Sequence, residues 1–221
     1  MFHDADARPE PGGLIERYLR ATGWEVELVE RASDMQWGAA DLMVHLGSDP
    51  NPADPDAADI VDPERRALRD ALDAGVPVLG VCFGAQLLAD VLGGDVHEAP
   101  VAEFGMHTVE SVHPLCPEGP WAQSHRHAFT VPAGATELGR SAAGPQGLLV
   151  DAPTRALGWQ FHPEVTPVTA RRWAETSPSW APHADAVIAH LLDENTGHAE
   201  RAGRLIATAI SWLMATEGER Q

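Results

Sequence analysis

The stretch "VPVLGVCFGAQLLADVLGG" (76–94) constrains the fold more than any other part of the chain. Its first six residues are an apolar run that reads as a buried strand. Gly80 to Gly84 then form a sharp turn around Cys82, and "AQLLADVL" (85–92) has helical spacing, stopped by Gly93-Gly94. A buried strand feeding straight into a helix is the repeating unit of an α/β sheet. The flanking segments fit that pattern. "GGLIERYLRATG" (12–23) reads as a helix, "WEVELVE" (24–30) and "ADLMVHLG" (40–47) as strands, and "SDPNPADPD" (48–56) as a loop. "DPERRALRDALDAG" (62–75) reads as a helix capped by Asp62 with Pro63 at its first position. From about 96 to 161 the runs "HTVESV", "AFTV", "GLLVDA" and "ALGWQF" are short and β-like, which suits an antiparallel extension of a parallel sheet. Beyond about 166 the chain reads as helical, ending in an amphipathic helix over 198–218.

The expected architecture is therefore a doubly wound α/β fold: a mostly parallel sheet, helices on both faces and a small antiparallel extension. A length of 221 residues suits one domain over 1–221, with a core at about 10–170 and a helical segment at about 170–218. The opening "MFHDADARPEPGG" goes into loop and helix where such a sheet usually begins with a strand. A first strand is absent, very short or upstream. If it is absent, the helix near 12–22 is the first ordered element.

The net charge of −18 argues against nucleic acid and against anionic membrane surfaces. No apolar run approaches the roughly 20 residues of a membrane span, and no charged-then-apolar leader opens the chain, so the expected location is cytoplasmic. All the basic residues are arginine. Without lysine there is no Schiff-base chemistry and no phosphate-gripping P-loop lysine. Cys82 and Cys116 make no disulfide framework and too few thiolates for a cysteine-built zinc site. His125 and His127 form an H-x-H pair, but solvated histidines are common in an acidic chain. No metal and no cofactor is expected.

Cys82 has two readings. Free cysteine is often simply buried. A glycine-flanked residue between strand and helix is also where G-x-S-x-G hydrolases present a nucleophile. The helix N-terminus places partial positive charge there, which favours the thiolate, and the Phe83 N–H can point at an oxyanion. A thiolate doing acyl chemistry needs a base, and the base needs an orienting group. "LGWQFHPEV" (157–165) offers both in His162 and Glu164. In an extended run, residues i and i+2 share one face about 6.5–7 Å apart, and Pro163 helps keep the segment extended.

Together, "GVCFGAQLLADVLGG" and "WQFHPEVT" resemble the class I glutamine amidotransferases, in particular their stand-alone, GMP-synthase-like branch, over about residues 10–170. The resemblance implies a flavodoxin-like fold and a Cys82–His162–Glu164 triad. It implies hydrolysis of the glutamine side-chain amide through a γ-glutamyl thioester, with ammonia passed to a synthetase, another acceptor protein or a second substrate. It also implies that Gln86 and "SHRHAF" (Ser124, His125, Arg126 and His127) hold the substrate, and that the loop "LGSDP" supplies oxyanion donors from Gly47 or Ser48 beside Phe83. Two departures stand out. The family's oxyanion loop is usually glycine-glycine-proline. Arg126 and His127 replace residues that are more often small or acidic, which sets two possible cations against the ammonium of free glutamine. A hydrolase of γ-glutamyl conjugates, and a non-catalytic binding protein that keeps only the triad, are the alternatives.

Overall fold

The computed structural model describes residues 1–4, 10–31 and 40–215. In chain order the elements are β1 (Phe2–His3), α1 (Gly13–Ala21), β2 (Val29–Glu30), β3 (Met43–His45), α2 (Ala58–Asp73), β4 (Val78–Val81), α3 (Phe83–Val91), β5 (Val96–Ser111), β6 (Gly119–Phe129), β7 (Thr136–Ser141), β8 (Gly144–Val150), β9 (Ala156–Trp159), α4 (Pro167–Thr176), α5 (Ala184–Leu192) and α6 (His198–Met214). Among the described residues the strands form one sheet in the order β2-β1-β3-β4-β9-β8-β7-β5-β6. The first five in that order run parallel. The remaining four continue the sheet antiparallel, as the short β-like runs predict.

Strand alternation sorts the apolar residues onto two faces. Val44, Leu79, Val81, Leu157 and Trp159 pack with Ile15 and Leu19 of α1 and with Leu205, Ile206 and Ile210 of α6. Met43, Val78 and Ala156 pack on the other face with Val61 and Leu68 of α2 and with Leu87 and Leu88 of α3. Helices thus cover both faces, as expected. The approach of α3 is very close. A Cβ at Gly84 would stand 2.2 Å from the His45 carbonyl oxygen, and one at Gly80 would stand 2.5 Å from the Gly84 carbonyl oxygen. The glycines around Cys82 are there because backbone meets backbone.

Of the three readings of the opening, the structure has the very short first strand: β1 precedes the helix at 13–21, so that helix is not the first ordered element, and β1 pairs in parallel with both β2 and β3. The strand is only two residues long, too short to show an alternation, and is held by burial of Phe2 and His3. Asp62 is not a cap. The helix begins at Ala58, after a 3₁₀ turn capped by Asp54, and Pro63 lies inside it. Near a helix start Pro63 forfeits a single bond, to the Asp59 carbonyl. The strand expected over 24–30 contracts to Val29–Glu30. The final helix ends at Met214, and residues 216–218 of the expected span lie outside the described residues. Among the described residues no helix is long and apolar enough to cross a membrane.

Candidate active site

Cys82 sits at the C-terminal end of β4 as the N-cap of α3, with φ 50° and ψ −107°. Among the described residues it is the only non-glycine residue at positive φ. Its N–H donates to the Trp159 carbonyl at 2.7 Å, and its own carbonyl accepts from the N–H groups of Ala85 and Gln86, both at 3.0 Å. Strand β9 on one side and the first turn of α3 on the other hold the residue in this conformation. Phe83 follows as the first residue of α3, where a backbone N–H has no intrahelical acceptor.

His162 and Glu164 do not lie on a strand. β9 ends at Trp159, and the chain turns through them toward α4, which Thr166 caps by accepting from the Thr169 N–H. The two side chains meet nonetheless, with His162 Nδ1 2.7 Å from Glu164 Oε1. The turn is braced by the His162 N–H donating to the Ala122 carbonyl and by the Leu14 N–H donating to the Glu164 carbonyl. Both side chains are buried, and among the described residues His162 Nε2 has no nitrogen or oxygen partner. Burial alone would push the imidazole pKa down. The Glu164 carboxylate, 2.7 Å away, is the largest of the influences that override it, with the Cys82 side chain next, and the value rises to about 10. The raised pKa favours the charged imidazole beside Glu164.

Gly47 completes the arrangement. A Cβ there would stand 2.9 Å from His162 Cε1 and 3.6 Å from Cys82 Cβ, so the loop after β3 lies directly against the pair. Cys82, His162, Glu164, Gly47 and Ser48 share one cavity with Ser124, whose carbonyl is 3.8 Å from Cys82 Sγ. Asp4 and Asp49 also line it, and among the described lining residues there is no arginine.

The other residues expected to hold substrate are placed elsewhere. On β6 the pleat turns His125 to the opposite side from Ser124, where its Nε2 lies 3.1 Å from Gln123 Oε1 and 3.3 Å from Glu103. Arg126 reaches away, stacking 5.1 Å over Phe104 and bonding Ser179. The His127 carbonyl accepts from Gln86 Nε2 at 3.1 Å, and burial lowers the pKa of the His127 ring. Gln86 is buried beneath the site, where it also donates to Gln160 at 3.2 Å. Neither Arg126 nor His127 lines the cavity.

Three residues near the chemistry escaped the sequence reading. Gln160 Nε2 is 3.5 Å from Cys82 Sγ, and its position beside "FHPEV" was the available signal. Trp173 of α4 packs edge-on against His162 at 4.7 Å, with only helical spacing to announce it. Arg31, at the end of β2, donates to the carbonyls of Leu46 and Gly47, and no local pattern marks it. Cys116 is fully buried, which pushes its thiol up to about 12.

The chain is 37% identical to the GMP synthase [glutamine-hydrolyzing] of Brucella melitensis, over 111 residues covering 45% of this chain and 22% of that protein. It thus spans about a fifth of the length of the curated relatives it matches. A glutamine amidotransferase from Thermotoga maritima superposes with a TM-score of 0.81 at 22% identity, over 97% of both chains. A glutamine amido transferase from Methylobacillus flagellatus gives 0.79 at 23% identity, over 100% of this chain and 96% of the other. These two show the fold. The model of the glutamine amidotransferase class-I family matches residues 12–174, nearly three quarters of the sequence, and the chain belongs to that family.

Proposed function

We propose that the protein hydrolyses the side-chain amide of glutamine through a thioester on Cys82. The observation that carries this reading is the 2.7 Å His162–Glu164 contact beside a cysteine held at positive φ. The Cys82 thiolate attacks the amide carbon, and the electron pair of the C=O bond moves onto oxygen. The N–H groups of Phe83 and of Gly47 or Ser48 stabilise that oxyanion. As the oxyanion collapses, the His162 imidazolium gives its proton to the departing nitrogen. Ammonia leaves and a γ-glutamyl thioester remains. Neutral His162 then takes a proton from water, whose oxygen attacks the thioester. Glutamate is released and the thiolate–imidazolium pair is restored. Glu164 keeps the imidazole oriented and supports its charge.

Free glutamine is the favoured substrate because Arg126 stacks on Phe104 and does not line the cavity, while the carboxylate of Asp49 does. Carboxylates suit a substrate ammonium. The relatives named GMP synthase support transfer of the ammonia to a synthetase-type partner. Ammonia release from L-glutamine, measured for the wild type and for Cys82→Ala, tests the proposal. Release by the wild type that is lost in the variant is expected. Equal release by both would refute it.

A further inference from the structure

We propose that Arg31 is a positioning residue that aims the oxyanion donors of the loop after β3. The inference deepens the proposed reaction and rests on it. Arg31 is 6% exposed, and its guanidinium makes four hydrogen bonds. Nη2 donates to the Leu46 carbonyl at 2.7 Å, and Nη1 donates to the Gly47 carbonyl at 3.0 Å. In a trans peptide the C=O and the following N–H lie in one plane and point in opposite directions. The Leu46 carbonyl shares its plane with the Gly47 N–H, and the Gly47 carbonyl shares its plane with the Ser48 N–H. By gripping both carbonyls, Arg31 turns both N–H groups to the other side of the loop. Those two N–H groups are the proposed oxyanion donors, and the loop lies against His162 and Cys82.

The rest of the fork is anchored equally firmly. Nε donates to Glu64 of α2 at 2.8 Å, and the other oxygen of Glu64 lies 3.3 Å from His45 Nδ1 at the end of β3. Nη1 also reaches Asp4 Oδ1 at 3.0 Å, an oxygen that accepts from Ser48 Oγ at 2.9 Å. The guanidinium lies 5.1 Å over the ring of Phe83, the residue that supplies the remaining donor. One planar cation therefore touches both sides of the oxyanion site. A lysine could match the charge but not this set of directions.

The test compares wild type, Arg31→Lys and the double variant Arg31→Met/Glu64→Met in the full chain. The double variant removes both charges and so avoids stranding a buried carboxylate. Two reactions are followed: glutamine hydrolysis, which passes through an oxyanion, and alkylation of Cys82 by iodoacetamide, which does not. Losing one oxyanion donor costs about 10²–10³ in kcat, so misaiming the loop in either variant should lower kcat by roughly 10- to 100-fold. KM and the alkylation rate should stay within about threefold, because binding and thiolate reactivity do not need the aimed donors. Unchanged kcat in both variants would overturn the role of Arg31 and leave the thioester reaction standing. Parallel loss of alkylation would also overturn it, because the whole site would then have been disturbed. If the wild type alkylates but never hydrolyses glutamine, the parent reaction fails and this role fails with it.

Discussion

At the scale of single residues, the site is defined by strain and by charge. Cys82 holds a backbone conformation that costs a non-glycine residue about 1–3 kcal/mol, and neighbouring hydrogen bonds keep it there. The charge on His162 gives a pH prediction. The imidazolium supplies the proton to the leaving nitrogen, so activity should fall as pH rises through about 10, where that proton is lost. Glu164→Gln removes the largest contribution raising the pKa of His162, so the alkaline limb of kcat/KM should move to lower pH. A limb that stays in place would mean that Glu164 does not set it. Among single variants, Cys82→Ala should lose the most turnover, since no thioester can form. His162→Ala should follow, with both losses on the order of 10⁴ or more, and Glu164→Gln should lose less. The Cys82→Ala/His162→Ala double variant should be little worse than Cys82→Ala alone, because the residues act as one unit.

At the scale of elements, the strand–turn–helix around Cys82 was legible because apolar run, glycines and helical spacing agree over 76–94. The reason for the glycines was not. The close approach of α3 to the His45 carbonyl depends on a strand more than thirty residues earlier. Gly84→Ala should therefore destabilise the fold by about 3 kcal/mol or more, in the range of severe overpacking, read as a lower midpoint in urea. A midpoint equal to wild type would show that α3 can retreat freely. The His162–Glu164 contact was legible as a pairing but not as a turn, since two residues i and i+2 can meet in either backbone. β1 was hidden by its length, and Arg31 by the sequence distance to the loop that it grips. Trp173 was visible only as an apolar helix position. Its edge-on contact with His162 predicts that Trp173→Ala lowers kcat more than Trp173→Phe, which keeps a ring in place.

At the scale of the whole molecule, the acid excess does not describe every interior site, and one buried histidine lies beside an arginine. His198 of α6 is buried beside Trp121, and burial, then Arg201 and His190, lower its pKa to about 4. The unfolded chain, with an ordinary histidine pKa near 6.5, binds the proton more readily between those values. Stability should therefore fall as pH drops from about 6.5 to about 4, at up to ~1.4 kcal/mol per pH unit from this residue. His198→Phe should move acid unfolding to lower pH, and an unchanged acid midpoint would remove His198 from the explanation. The same contrast of environments separates the two thiols: Cys116 is sealed inside the sheet, and Cys82 lines the cavity. The most direct measurement is peptide mass mapping after rapid acid quench of the protein turning over L-glutamine. A glutamyl group is expected on Cys82, none on Cys116, and none anywhere in Cys82→Ala. Steady ammonia release with no glutamyl adduct on Cys82 at any quench time, together with undiminished release by Cys82→Ala, would contradict the thioester.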